Sequence, residues 1–214
     1  MQTVAVIDYG MSNLRSVAKA LEFAAVGEHR IVVSNEADAI LNADRVVFPG
    51  QGAMGTCMRN LREQALLEVV SEAICAKPFL GICLGLQSLM ETSDEDSGQQ
   101  GLGVLRGRVV RFSQAMTDAR GERLKVPHMG WNQVTQAKKH PLWTGIPSGA
   151  YFYFVHSYYV QPQDGNVVTG TTDYGVNFVS AVARSNYFAT QFHPEKSQKA
   201  GIALLKNFLA WDGG

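Results

Sequence analysis

The sequence carries no net charge: its 214 residues hold 19 basic side chains against 19 acidic ones. There is no basic stripe to follow a nucleic-acid backbone and no acidic tail. Cysteine is scarce. Cys57, Cys75 and Cys83 are odd in number and spaced unlike zinc ligands, which argues against a disulfide framework and for a reducing compartment. No run approaches ~20 uninterrupted apolar residues, so no membrane span is expected. The N-terminal MQTVAVIDYG is too short in its apolar stretch, and lacks the basic flank, to read as a signal peptide. His29, His128, His140 and His156 show no metal-ligand spacing, and neither metal nor cofactor is expected. Repeats, low-complexity segments and linkers are absent too. With 46% apolar and 18% charged residues, residues 1–214 read as one globular domain of a cytoplasmic protein, with no nucleic-acid or membrane partner.

What is present first is an alternation of strand and helix. Residues 3–7, 30–33, 45–48 and 79–82 are short apolar or β-branched runs. Between them, residues 13–25 have apolar side chains at helical spacing, with Ser12 or Asn13 as the cap, 36–41 form a short helix and 62–76 a long one. This order predicts an α/β fold: a doubly wound, mostly parallel sheet with helices on both faces. Residues 93–101 read as a polar loop. From residue 104 the texture becomes β: 104–112, 133–135, 151–160, 167–172, 177–184 and 187–192 read as strands, several of them antiparallel, with a turn at Ser185-Asn186. Residues 197–211 close the chain as a helix.

Three segments carry chemistry. In PFLGICLGLQSLM an apolar β-like run ends at Cys83 and passes directly into a helix-like run over 84–90. Gly81 and Gly85 flank the cysteine two residues away on either side, the frame of a nucleophile elbow. A cysteine there meets a helix N-terminus, whose dipole and free N–H groups favour a thiolate. The second segment is QFHPEKS, residues 191–197. A cysteine nucleophile needs a base, which His193 supplies, and a carboxylate to orient that base, which Glu195 supplies. The third is FPGQGAMG, residues 48–55, a glycine-rich turn after a strand. Its backbone N–H groups suit an oxyanion hole, and it lacks the Gly-Lys-Ser/Thr ending of a phosphate loop.

GICLGLQ together with QFHPEKS resembles the class I, triad-type glutamine amidotransferases, over essentially the whole chain. DYGMSNLRS, PGQGA, VPHMGWN and YFVHSYY are most similar to the glutaminase subunits that serve imidazole glycerol phosphate synthase in histidine biosynthesis. The resemblance implies hydrolysis of glutamine to glutamate and ammonia through a Cys83 thioester, with His193 as base and acid and Glu195 as its orienter. It implies an oxyanion hole from the Leu84 N–H and the Gly50-Gln51-Gly52 turn, and glutamine held by Gln87, Glu95 and the backbone around Ser157 and Tyr158. It also implies a heterodimer with a (β/α)-barrel cyclase that consumes the ammonia to form imidazole glycerol phosphate and an aminoimidazole carboxamide ribotide. Lys196 resembles a residue that pairs with an acidic group on that cyclase, while Tyr153 and Asn13 are further interface candidates. Trp131 is an interface anchor or a core residue. Alternatives are a glutaminase subunit for another ammonia-using synthase, an independent cysteine hydrolase, and a non-catalytic regulatory subunit on the same fold.

Overall fold

The computed structural model describes residues 1–11, 13–118 and 120–214. Its centre is a run of parallel strands: β1 (Gln2–Ile7), β2 (His29–Ser34), β3 (Arg45–Gly50), β4 (Phe79–Cys83) and β13 (Tyr187–Thr190), laid side by side as β2-β1-β3-β4-β13. Between these and in the C-terminal half lie β5 (Met90–Ser93), β6 (Gln99–Gln100), β7 (Leu105–Arg111), β8 (His128–Gln136), β9 (Ala150–His156), β10 (Tyr158–Pro162), β11 (Val168–Asp173) and β12 (Asn177–Arg184). The sheet continues from β13 through β12, β10 and β7, each antiparallel to its neighbour. β8, β9 and β11 form an antiparallel flap off β12. This is the doubly wound α/β arrangement with added antiparallel strands that the sequence suggests.

The helices divide between the two faces because each has one apolar stripe to bury. α1 (Leu14–Ala25) buries Val17, Leu21 and Ala24, and α6 (Gln198–Ala210) buries Leu204, Leu205 and Phe208, all in one core cluster. α2 (Ala37–Leu41), α3 (Met54–Glu63) and α4 (Leu67–Ala76) bury Ile40, Cys57, Leu61, Val70 and Ile74 in the other. Each fully buried leucine or phenylalanine contributes roughly 1.5–3 kcal/mol, which is why the elements hold these faces. None of the described helices is long and apolar enough to cross a membrane. The cysteines are all free.

Several boundaries differ from the expectation. The helix read over 62–76 is two helices, because Ala65 takes φ 55° and stops α3 before α4 begins. The helix after Cys83 is only α5 (Leu84–Gln87); the chain is extended again from Met90. The 93–101 segment contains a 3₁₀ turn, Glu95–Ser97, and strand β6. The run 151–160 is two strands, β9 and β10, broken at Ser157. The 133–135 strand starts earlier, at His128, and the 187–192 strand ends at Thr190, before His193. Asn13 precedes α1 but makes no side-chain cap bond; Ser12, the other candidate cap, lies outside the described residues.

Candidate active site

Parallel strands send all their carboxyl ends to one edge, where α/β sheets present their ligand sites. β1, β3, β4 and β13 end there at Ile7, Gly50, Cys83 and Thr190, with Gly50 and Cys83 directly opposite each other in the ladder. Cys83 adopts φ 54°, ψ −100°, outside the regions favoured by L-residues. Holding it there costs of order 1–3 kcal/mol, offset by the close packing around it. A Cβ on Gly81 would lie 3.0 Å from the Gly85 backbone, and one on Gly85 would overlap the Phe48 carbonyl oxygen. Glycine at both positions is what lets strand, cysteine and helix turn this sharply.

His193 and Glu195 come to this edge just beyond β13. Both are essentially buried, and His193 Nδ1 lies 2.8 Å from Glu195 Oε1. Burial works against the charge on Glu195, but the hydrogen bond and positive charge of His193 outweigh it and hold the carboxyl below its ordinary range. As a carboxylate it can only accept, so Nδ1 carries the proton, while Nε2 is buried without a hydrogen-bond partner among the described residues. Burial also opposes charge on His193. The negative charges of Cys83 and Glu195 overcome it and raise its proton affinity to a pKa of about 10. The site therefore favours a protonated imidazole beside Cys83.

A second contact on Glu195 is invisible in the sequence. Asn13 Nδ2 donates to Glu195 Oε1 at 2.6 Å. The sequence offers Asn13 as an interface candidate, and the structure puts its amide on the carboxylate. Its backbone, φ 85° and ψ −2°, is left-handed, which asparagine tolerates and glycine adopts freely. Asn13→Gly therefore removes the amide without straining the turn. The expected result is a roughly tenfold fall in turnover through Cys83, the size expected for loss of one hydrogen bond to a charged group. Turnover equal to the parent in steady-state assays would show that the carboxylate does not need this donor.

Cys83 opens onto a cavity of about 310 Å³ whose wall includes Gln51, Gly52, Leu84, Gln87, Glu95, Pro127, His156, Ser157 and Tyr158. Most of the pocket residues named from the sequence thus meet here. A wider hollow of about 580 Å³ shares Pro127 but has, among the described residues, no cysteine, serine or histidine in its wall. The glycine-rich turn is anchored by the buried Tyr9, whose hydroxyl donates to the Pro49 carbonyl at 2.9 Å. Glu95 Oε2 accepts from the Met54 N–H at 2.6 Å, tying the far side of the cavity to the start of α3. Burial raises the Glu95 carboxyl above its ordinary value, the Met54 bond opposing. Gln87 Nε2 donates to Tyr158 O at 2.9 Å and to Gln191 Oε1 at 3.2 Å. Both its protons are spent, so the atom left for a ligand is an acceptor.

Tyr158 O also receives His156 Nδ1 at 2.8 Å, and His156 Nε2 lies 3.1 Å from His128 Nδ1. A carbonyl only accepts, so His156 is protonated at Nδ1 and its Nε2 accepts from His128. Burial pushes His156 down to about 3 and His128 down to about 4, so the pair stays neutral at pH 7. Sequence reasoning does not single out His156, Gln191 or Tyr9 as site residues. They sit inside the motifs YFVHSYY, QFHPEKS and DYGMSNLRS, which is the signal that marks their neighbourhood.

Trp131 is on the surface, 44% exposed, and not in the core. It meets Tyr153 edge-on at 6.0 Å, and Lys196 Nζ lies 5.9 Å from the Tyr153 ring centre. Met129 and Tyr151 extend the same exposed apolar face of β8 and β9. This face is tied to the His193–Glu195 pair through the backbone: the His193 N–H donates to Tyr153 O at 2.9 Å, and Ser197 Oγ joins Tyr153 N to His193 O.

Comparison with known proteins shows which family the chain belongs to. The family model described as "Glutamine amidotransferase class-I" matches residues 5–211. The chain is 58% identical over 212 residues to the imidazole glycerol phosphate synthase subunit HisH of Aromatoleum aromaticum, covering 99% of each. It is 54% identical over 213 residues to subunit HisH 1 of Pseudomonas aeruginosa, covering 100% of this chain and 99% of that one. Among solved structures, a glutamine amidotransferase from Thermotoga maritima superposes with a TM-score of 0.67 at 14% identity, covering 97% of this chain and 96% of that one. The glutaminase domain of Trypanosoma brucei CTPS with bound acivicin gives 0.64 at 16%, covering 99% of this chain and 95% of that one. At those identities the likeness is one of fold.

Proposed function

Because the chain belongs to the class I glutamine amidotransferases, we propose that it is the glutaminase subunit of an imidazole glycerol phosphate synthase, working through Cys83, His193 and Glu195. The observation that carries the reading is Cys83 in its strained elbow, at the mouth of a cavity, beside a buried His193–Glu195 pair.

Glutamine enters with its cationic amine toward the acceptors Gln87 Oε1 and Glu95, and its carboxylate toward the backbone at Ser157 and Tyr158. The Cys83 sulfur attacks the side-chain carbonyl carbon. Negative charge moves to the carbonyl oxygen, met by the N–H of Leu84 at the start of α5 and by an N–H of the Gly50-Gln51-Gly52 turn. His193 gives its Nε2 proton to the departing nitrogen, and ammonia leaves. A water, deprotonated by the same nitrogen, then splits the γ-glutamyl thioester and regenerates the thiolate.

Ammonia passes to a (β/α)-barrel cyclase bound to residues 1–214 as a heterodimer in the cytoplasm. The relatives in Aromatoleum and Pseudomonas are themselves called synthase subunits. The exposed Trp131–Tyr153–Lys196 face fits such a partner: aromatic residues dominate binding hot spots, and Lys196 offers a cation to an acidic group. Since Tyr153 is bonded through its backbone to His193, docking there reaches the triad directly.

The test is glutamate release by the chain alone, then with the cyclase and its nucleotide substrate. Placing one oxyanion donor is worth ~10²–10³ in rate, so the full complex is expected to turn over at least ~100 times faster. A rate unchanged by the cyclase would move the chain to another synthase or to an independent glutaminase.

A further inference from the structure

The nucleophile has a polar neighbour that the triad does not use. Gln191 follows β13, is fully buried, and continues the ladder through its backbone N–H to Ser180 O at 2.9 Å. Its side-chain Nε2 lies 3.5 Å from Cys83 Sγ, and its Oε1 accepts from Gln87 Nε2 at 3.2 Å. The orientation of this amide follows from the atoms around it. Tyr158 O can only accept, so Gln87 must turn its NH₂ group toward the carbonyl. The same NH₂ group then meets Gln191, which must present oxygen to it. That leaves the Gln191 NH₂ facing the sulfur. Turned over, Gln191 would set donor against donor at Gln87 and its carbonyl oxygen against the lone pairs of the Cys83 sulfur.

We propose that Gln191 is a further catalytic residue: its amide N–H donates to the Cys83 sulfur whenever that sulfur is a thiolate. The proposal rests on Cys83 being the nucleophile. No proton leaves Gln191 at any step. The thiol proton goes to His193 Nε2, the sulfur electron pair forms the S–C bond, and the bond to the amide weakens as the charge moves to the carbonyl oxygen. When the thioester is hydrolysed the pair returns to sulfur and the hydrogen bond reforms. His193 thus holds one side of the thiolate and Gln191 the other, and Gln191 is fixed by Gln87, a residue of the substrate pocket. Hydrogen bonds to charged acceptors are about twice as strong as neutral ones.

The experiment is the pH dependence of alkylation of the full chain by iodoacetamide, with the labelled residue identified by peptide mass. Gln191→Leu keeps the side-chain size and removes the donor. The midpoint of the Cys83 alkylation profile is expected to rise by about one to two pH units, the value of one charge-assisted hydrogen bond. Glutamine turnover falls about tenfold or more at pH 7 and recovers toward the parent rate as the pH is raised; a merely structural defect lowers it at every pH. Gln191→Glu, the isosteric variant, serves if the leucine protein fails to fold, and is expected to shift the midpoint further by adding negative charge. A profile superimposed on the parent in a folded variant overturns the proposal. Parent glutamine turnover that survives Cys83→Ala overturns the nucleophile assignment itself and is recognised without any Gln191 variant.

Discussion

Cys83→Ala is expected to lower glutamine hydrolysis by at least ~10⁴-fold while leaving the fold intact. Removing the nucleophile of a comparable triad abolishes the covalent route and leaves only what binding and the oxyanion site provide. Alanine accepts the elbow backbone no better and no worse than cysteine, since the strain at φ 54° arises at Cβ and the carbonyl rather than at sulfur. The thermal midpoint should therefore move little, and glutamine should still bind. Steady-state glutamate release and a thermal melt on the same preparation decide the matter. Residual turnover above a hundredth of the parent rate would place the chemistry elsewhere. Cys57 is no substitute: it is buried, and burial holds its thiol proton up to about 11.

Gly85→Ala is the second large effect, and it acts through the fold. The added methyl would lie 2.0 Å from the Phe48 carbonyl oxygen in β3, a backbone atom inside a paired strand. Neither neighbour has room to give, because Phe48 and Leu84 are both buried and α5 begins immediately after Cys83. Overpacking of this kind costs ~1–3 kcal/mol where side chains move and more where backbone must. The expected loss is above ~3 kcal/mol on that scale, together with loss of turnover, because separating α5 from β3 also moves the Leu84 N–H and the turn at Gly50. Urea unfolding measures the first and glutamate release the second. A variant of parent stability would mean that the elbow has slack the structure does not show.

The elbow is legible in the sequence because everything that makes it is contiguous: an apolar run, a cysteine, and glycines two residues away on each side. His193 and Glu195 are legible for the same reason, lying two residues apart in one motif. Boundaries fail where no local residue marks them. The break between α3 and α4 falls at Gln64-Ala65-Leu66, without glycine or proline, so the apolar period runs straight through it. The break at Ser157 between β9 and β10 has no turn residue beyond that serine. α3 itself is hidden because it begins inside the segment that reads as a glycine-rich turn: Met54 and Gly55, the last two residues of FPGQGAMG, are its first two. The contacts that complete the site are out of reach for a different reason. Asn13 and Glu195 are 182 residues apart, and Gln191 and Cys83 are 108 apart. Such pairs are set by which strand ends share an edge of the sheet, and no local pattern records that.

The most direct test of the central claim is the mass of the Cys83 peptide from enzyme quenched in acid during turnover, with cyclase, nucleotide substrate and excess glutamine present. Cysteine attack on the side-chain amide predicts an adduct on Cys83 equal to glutamine less ammonia, absent without glutamine and discharged by hydroxylamine. Steady glutamate production with Cys83 unmodified, or with the adduct on Cys57 or Cys75, would contradict it.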